Sequence, residues 1–330
     1  MAPGLDQVQG RGVTATLTDA PPQVPPPPAP RPGRLARFVA WARRNWLWIL
    51  FALPGILWLL SLFIVPLYVV FTIVFGQIDP IFRTPLPVWN PVQWNTVAFT
   101  DVFKHIIGPD GYFGPALLRT AVYVLSASIL CLTIAYPVAY YTARYAGKHR
   151  GWLLAALIAP FWISYMMRML AWVNLLQNDG LINRVLHVNV DWLSGRSTVV
   201  ILGLVYGYVP YMILPLYAGL DRFSPNVIEA ARDLGAGRLE TFRRVTVPLS
   251  MPAIIAAVLL TCLPMLGDYF TADLLSGSPS TTMVGNLINN SVTTPGQTGQ
   301  GGAFVLLVLA VSLVPMLFYV RSARKEGLAS

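Results

Sequence analysis

Six long apolar runs dominate the chain, at roughly 46–75, 116–142, 152–175, 198–218, 252–275 and 302–321. Each is long enough for an α-helix to cross a hydrocarbon core about 30 Å thick. Inside lipid every backbone N–H and C=O needs a partner within its own segment or in a closed barrel, and these runs lack the alternating polar positions of barrel strands. The pattern therefore predicts an all-α integral membrane protein of about six transmembrane helices. The segments between the runs are 76–115, 143–151, 176–197, 219–250 and 276–301, and the last is rich in Ser, Thr, Asn and Gly. Within the first, Val97, Phe99, Val102, Phe103 and Ile106 recur at helical spacing, which predicts a short interfacial helix over 95–107.

Charge changes this picture by giving it a direction. Of the 23 Lys and Arg, only Arg83, Lys104, Arg184 and Arg196 fall in the other three loops, and Arg119 and Arg168 fall inside runs. The rest concentrate in the N-terminal tail, the 143–151 and 219–250 loops and the C-terminal tail, so the positive-inside rule places both termini and the 219–250 loop in the cytoplasm. The net charge of +9 does not point to nucleic acid, because no folded basic domain remains once the runs are removed. Residues 1–44 form a Pro-rich tail expected to be disordered, ending in a collar where Arg34, Arg37, Arg43 and Arg44 alternate with Phe38, Trp41, Trp46 and Trp48. Residues 45–322 are the transmembrane domain and 323–330 a cytoplasmic tail. The first apolar run is far longer than the core of a cleavable signal, so it reads as a retained helix.

Composition agrees with lipid as the solvent: hydrophobic residues make up 55% and charged residues 11%. Cys131 and Cys262 both lie inside runs, where a thiol behaves as a small hydrophobe. His105, His149 and His187 all lie in loops, and no Gly-x-x-x-x-Gly-Lys-Ser/Thr phosphate loop occurs, so no catalytic residue, metal site or cofactor is expected.

The most informative segment is 224–237, in the cytoplasmic loop before the fifth run. Ser224 is a good N-cap, Pro225 suits the first helical position, and Gly235 can take the left-handed conformation that ends a helix. A second helical stretch, 238–244, is expected before Pro248 and Pro252 redirect the chain into the membrane. The result is a compact knob. Glu229, Ala230, Ala231 and Gly235, followed by Val245, Val247, Pro248 and Leu249, are similar to the EAA loop of type I ABC importer permeases, the MetI-like architecture. That resemblance implies a short helix inserted into a cleft on an ATPase, with Ala230 and Ala231 allowing close approach and Glu229, Arg232 and Asp233 making polar contacts. Within the family, the stretches 159–168, 203–217 and 266–277 look most like the spermidine/putrescine permeases of the PotB type. The implied partners are a PotC-like second permease, a PotA-like ATPase pair and a PotD-like extracytoplasmic binding protein, in the plasma membrane of a prokaryote. The same architecture for sulfate, iron or phosphonate, and a carrier driven by an ion gradient, stay open as alternatives.

Ionisable groups inside a membrane are costly and are functional candidates by default. With the N-terminus inside, Arg119, Arg168, Asp268 and Asp273 all fall toward the outer third. A polyamine path needs carboxylates for its ammonium groups and aromatic faces for its methylenes. Asp268 and Asp273 are the candidate acids, with Trp162, Tyr165, Tyr206, Tyr208, Tyr211 and Tyr269 as candidate aromatic groups and Arg168 beside them. Asp268 pairing with Arg168 inside the bundle is the structural alternative.

Overall fold

The computed structural model describes residues 43–108, 111 and 113–326. The Pro-rich tail, Arg34 and Arg37 of the collar, and the last four residues lie outside them. The chain divides at Leu62–Phe63 into two units, and the helix α1 (Trp46–Val74) supplies part of each. In the first unit Trp46, Trp48, Phe51 and Trp58 are exposed, the surface an apolar helix offers to lipid.

The second unit carries the remaining elements. After α1 come a two-residue hairpin, β1 (Gln77–Ile78) and β2 (Pro85–Leu86), and then α2 (Val97–Ile107), the interfacial helix expected from the apolar spacing. The long helices α3 (Phe113–Arg144) and α7 (Ser197–Asp221) pack along one another with α10 (Val247–Leu266). Lipid tails provide no hydrophobic drive between helices, so close packing of small groups has to hold them, and Ala127, Ala135 and Ala139 of α3 are fully buried here. A second cluster joins Val74, Val102, Phe113 and Phe304, the last two rings meeting edge to face at 4.6 Å. Phe304 belongs to the last helix, α13 (Thr298–Glu326).

Among the described residues, five helices are long and apolar enough to span a membrane. A sixth span forms only if a bent pair is counted as one. The 152–175 run, expected as one helix, is broken into α4 (Arg150–Ile158), a 3-10 turn over Ala159–Trp162, and α5 (Tyr165–Leu176), followed by α6 (Leu181–Leu186). The two halves meet at 84°. Ile163 and Ser164 cause the break, since both adopt extended ψ values, 133° and 140°, that interrupt the helical ladder.

Three other expectations need correction. The fifth run does not stay helical to 275; α10 stops at Leu266 and a separate short helix, α11 (Phe270–Leu275), follows. The segment 276–301 is not merely a loop, because it contains α12 (Val284–Thr293). Pro248 and Pro252 do not redirect the chain. Helix α9 (Arg238–Thr241) runs through a π turn, Phe242–Thr246, straight into α10, giving one helix over Arg238–Leu266. Proline lacks an N–H and its ring crowds the carbonyl four residues back. The π turn, in which Val247 N–H donates to Phe242 O, loosens the coil just ahead of Pro248.

Candidate functional site: a polar cluster and an exposed knob

The knob is built as the 224–237 pattern requires. Ser224 Oγ accepts from Asn226 N–H at 3.3 Å and starts α8 (Pro225–Asp233). At the other end Gly235 has φ of 88°, where any other residue is strained. Its N–H donates to Arg232 O at 2.9 Å and Ala236 N–H donates to Ala231 O at 3.1 Å, the paired bonds of a Schellman stop. Glu229, Ala230, Arg232, Asp233 and Gly235 are exposed and Ala231 is half-buried. Leu234 and Leu239, which the motif did not single out, are 89% and 70% exposed. An open recess of about 800 Å³ is lined by Leu239 together with Gly237, Arg238, Glu240, Arg243 and Arg244.

The knob is exposed yet anchored. Arg144, the last residue of α3, donates from Nη1 to Phe223 O at 3.0 Å, tying that helix to the start of the loop. The Phe242 ring packs edge-on against Tyr136 at 5.8 Å and Tyr140 at 6.3 Å, and Tyr136 and Ser250 share a hydroxyl hydrogen bond at 3.0 Å.

At the far end of the Arg238–Leu266 helix, Asp268 is buried and accepts four hydrogen bonds. Thr271 N–H donates to Oδ1 at 3.1 Å; Thr271 Oγ1, Tyr165 OH and Tyr208 OH donate to Oδ2 at 2.6, 2.8 and 3.2 Å. Three elements, α5, α7 and α11, therefore meet on one carboxylate. Gly207 makes room for this: a Cβ there would lie 2.7 Å from the Tyr165 ring. Three donors crowd Oδ2 and one reaches Oδ1, so most of the acceptor capacity of the Asp268 carboxylate is used inside the chain.

Arg168 does not pair with Asp268. Its guanidinium lies over the Phe161 ring at 4.7 Å and the Tyr165 ring at 5.4 Å, and no ion pair or side-chain hydrogen bond reaches it among the described residues. Asp273 stands apart, on the exposed side of α11. Its Oδ1 accepts from Asn286 Nδ2 at 2.6 Å, and the same amide donates to Tyr269 O at 3.0 Å. Trp162, at the break in the third span, is 87% exposed. Tyr211 contacts Phe161 and Tyr208, Tyr206 meets Trp172 edge-on at 5.4 Å, and Tyr269 stacks on Phe270 at 4.1 Å. The structure thus gathers Tyr165, Tyr208 and Asp268, and distributes the other candidates around them. Thr271 and Asn286 were missed. The Asp-x-x-Thr spacing of a helix start pointed to the first, while Asn286 sat in a segment read as loop.

A bundle of membrane-spanning helices, bearing an anchored but exposed helical knob between two spans, defines the class: the membrane-embedded permease of a transporter driven from outside its own chain. The chain belongs to the family of binding-protein-dependent transport system inner membrane components, whose model matches residues 33–327, and is a permease subunit of an ABC importer. It is 34% identical over 224 residues to the spermidine/putrescine transport system permease protein PotB of Escherichia coli K12, spanning 65% of this chain and 80% of that one. The PotB of Haemophilus influenzae is 37% identical over 205 residues, 60% of this chain and 71% of the relative. In fold, a bacterial ABC transporter that imports the acidic polysaccharide alginate superposes with a TM-score of 0.62 at 20% identity, over 88% of this chain and 99% of that one. As a family these are transport permeases, not enzymes, and ATP hydrolysis belongs to a separate ATPase.

Proposed function

We propose that this permease forms half of the inward path for a polyamine or a similar small polycation, alternating between outward and inward access as a separate ATPase pair opens and closes. The similarity to two spermidine/putrescine permeases carries this reading. Asp273 supports it from the geometry, because among the described residues its second carboxylate oxygen accepts no hydrogen bond and the residue is exposed, whereas Asp268 is buried and accepts on both oxygens. Asp273 is accordingly the acid assigned to the substrate, with Trp162, Tyr206 and Tyr211 offering ring faces to the methylene chain. Asp268, Tyr165 and Tyr208 hold the outer ends of the helices in register.

Both termini and the knob lie on the cytoplasmic side in this proposal, and residues 45–322 form the transmembrane domain between two tails. Glu229, Ala230, Ala231, Arg232, Asp233 and Gly235 seat in the ATPase, and Leu234 supplies apolar contact there. A second permease completes the path, and an extracytoplasmic binding protein delivers the substrate to the α11–α12 end.

The test is uptake by the complete importer in proteoliposomes. ATP-dependent spermidine uptake is expected, competed by putrescine and not by sulfate or iron. Asp273→Asn should lower it about tenfold, the worth of one charge-assisted hydrogen bond, with the complex intact. Competition by sulfate or iron instead, or full uptake by the variant, would overturn the substrate or the site respectively.

A further inference from the structure

A cavity of about 390 Å³ lies between α3, α4, α5 and α7; its lining is mostly aliphatic and aromatic, and Arg168 is the one charged residue in it. Arg168 is only 7% exposed, and its Nε is buried with no hydrogen-bond partner. Two aromatic rings face the guanidinium. Ring quadrupoles offset only part of what a cation loses on leaving water, and a buried charge is ordinarily paired with an anion. Within this chain the anion is missing: Asp268 is engaged by Thr271, Tyr165 and Tyr208, and no other acid is hydrogen-bonded or ion-paired to Arg168 among the described residues.

The cavity is open at its side, since the lining residues Ile134, Leu202 and Tyr206 remain exposed. Its depth discriminates between anions. Along α7 the lining runs from Leu202 to Ile213, the middle of a helix that extends from Ser197 to Asp221. A phospholipid phosphate sits outside the hydrocarbon layer, whereas a side chain on a neighbouring transmembrane helix can stand at any depth. A volume at the lower end of ligand-pocket sizes suits one acidic side chain with its apolar neighbours.

We propose that Arg168 is the seat for an Asp or Glu on a transmembrane helix of the second permease subunit, so that the charge left open in this chain is closed only on assembly. The proposal rests on the two-permease reading above in one respect, that a second membrane-embedded subunit packs against this one. An Arg168→Leu chain loses an unpaired buried charge and keeps apolar volume; alone in detergent it should unfold at a temperature no lower than wild type. In the purified importer the same variant should retain the second permease at least about tenfold less well. One Asp→Asn or Glu→Gln change among that subunit's intramembrane acids should reproduce the loss and add nothing when combined with Arg168→Leu.

The outcomes separate. If the wild-type complex holds no second membrane subunit, the two-permease reading fails and takes the proposal with it. If the pair forms and Arg168→Leu leaves its retention unchanged, the proposal alone fails. It fails equally if the variant releases bound anionic phospholipid without loosening the pair, or if the single chain melts lower while the pair holds, because the guanidinium then serves lipid or its own two rings.

Discussion

The Asp268 cluster and the Glu229 knob flank the same 29-residue helix, Arg238–Leu266, and are built in opposite ways. One is finished within the chain: a buried carboxylate with four donors drawn from three elements. The other is unfinished: a capped helix whose Glu229, Ala230 and neighbouring leucines are left in solvent. The helix between them is about 43 Å long, enough to cross the bilayer. The difference teaches how the two ends divide the labour of coupling. Under the proposed function, the closed end lets the span move as one body, and the open end offers another protein a place to move it.

The largest expected effect on the fold lies at the closed end. Asp268→Ala leaves the Tyr208 hydroxyl and the Thr271 N–H without their partner and the Tyr165 and Thr271 hydroxyls with only each other, at 2.5 Å, at about 1–3 kcal/mol for each group left unsatisfied. Thermal unfolding in detergent should drop sharply, and an unchanged melting temperature would mean the cluster does not hold these elements together. Gly235→Ala comes next. It forces a Cβ into a left-handed position at about 1 kcal/mol, and although no atom lies within 4 Å of that Cβ, the stop that aims the knob is weakened. Spermidine-stimulated ATPase activity of the complex should fall more than the stability of the chain does. Smallest in stability is Glu229→Lys, within about 0.5 kcal/mol of wild type because the site is exposed. The same change should strip the ATPase from the purified complex. If Glu229→Lys instead unfolds the permease, or Asp268→Ala leaves it intact while releasing the ATPase, the contrast between the two ends is wrong.

Much of this was legible in order of sequence distance. The spans follow from apolar runs, and the knob follows from Ser224, Pro225 and Gly235, because a cap and a stop are local events. The bend at Ile163–Ser164 was hidden, since an apolar run looks the same whether its helix is straight or broken. Helix α12 was hidden by the opposite effect: Asn286, Asn289, Asn290 and Ser291 read as loop, yet Asn286 is buried and bonds both Asp273 and Met283 N–H. Asp268, Tyr165 and Tyr208 were each named as candidates for the path. That they share one carboxylate across separations of 103 and 60 residues depends on tertiary packing, which no local pattern encodes.

The π turn at Phe242–Thr246 sets the phase of the machine. In a regular helix each residue advances the azimuth by about 100°, so a register with one extra residue rotates everything before it against everything after it. Deleting a single residue there would restore an unbroken α-helix and swing the knob by roughly that angle around the axis of the span. An ATPase seated on the knob, as proposed, would then meet a different face of the same intact helix. This one widened turn therefore acts as an indexing step, fixing the azimuth of the knob around the axis of the span.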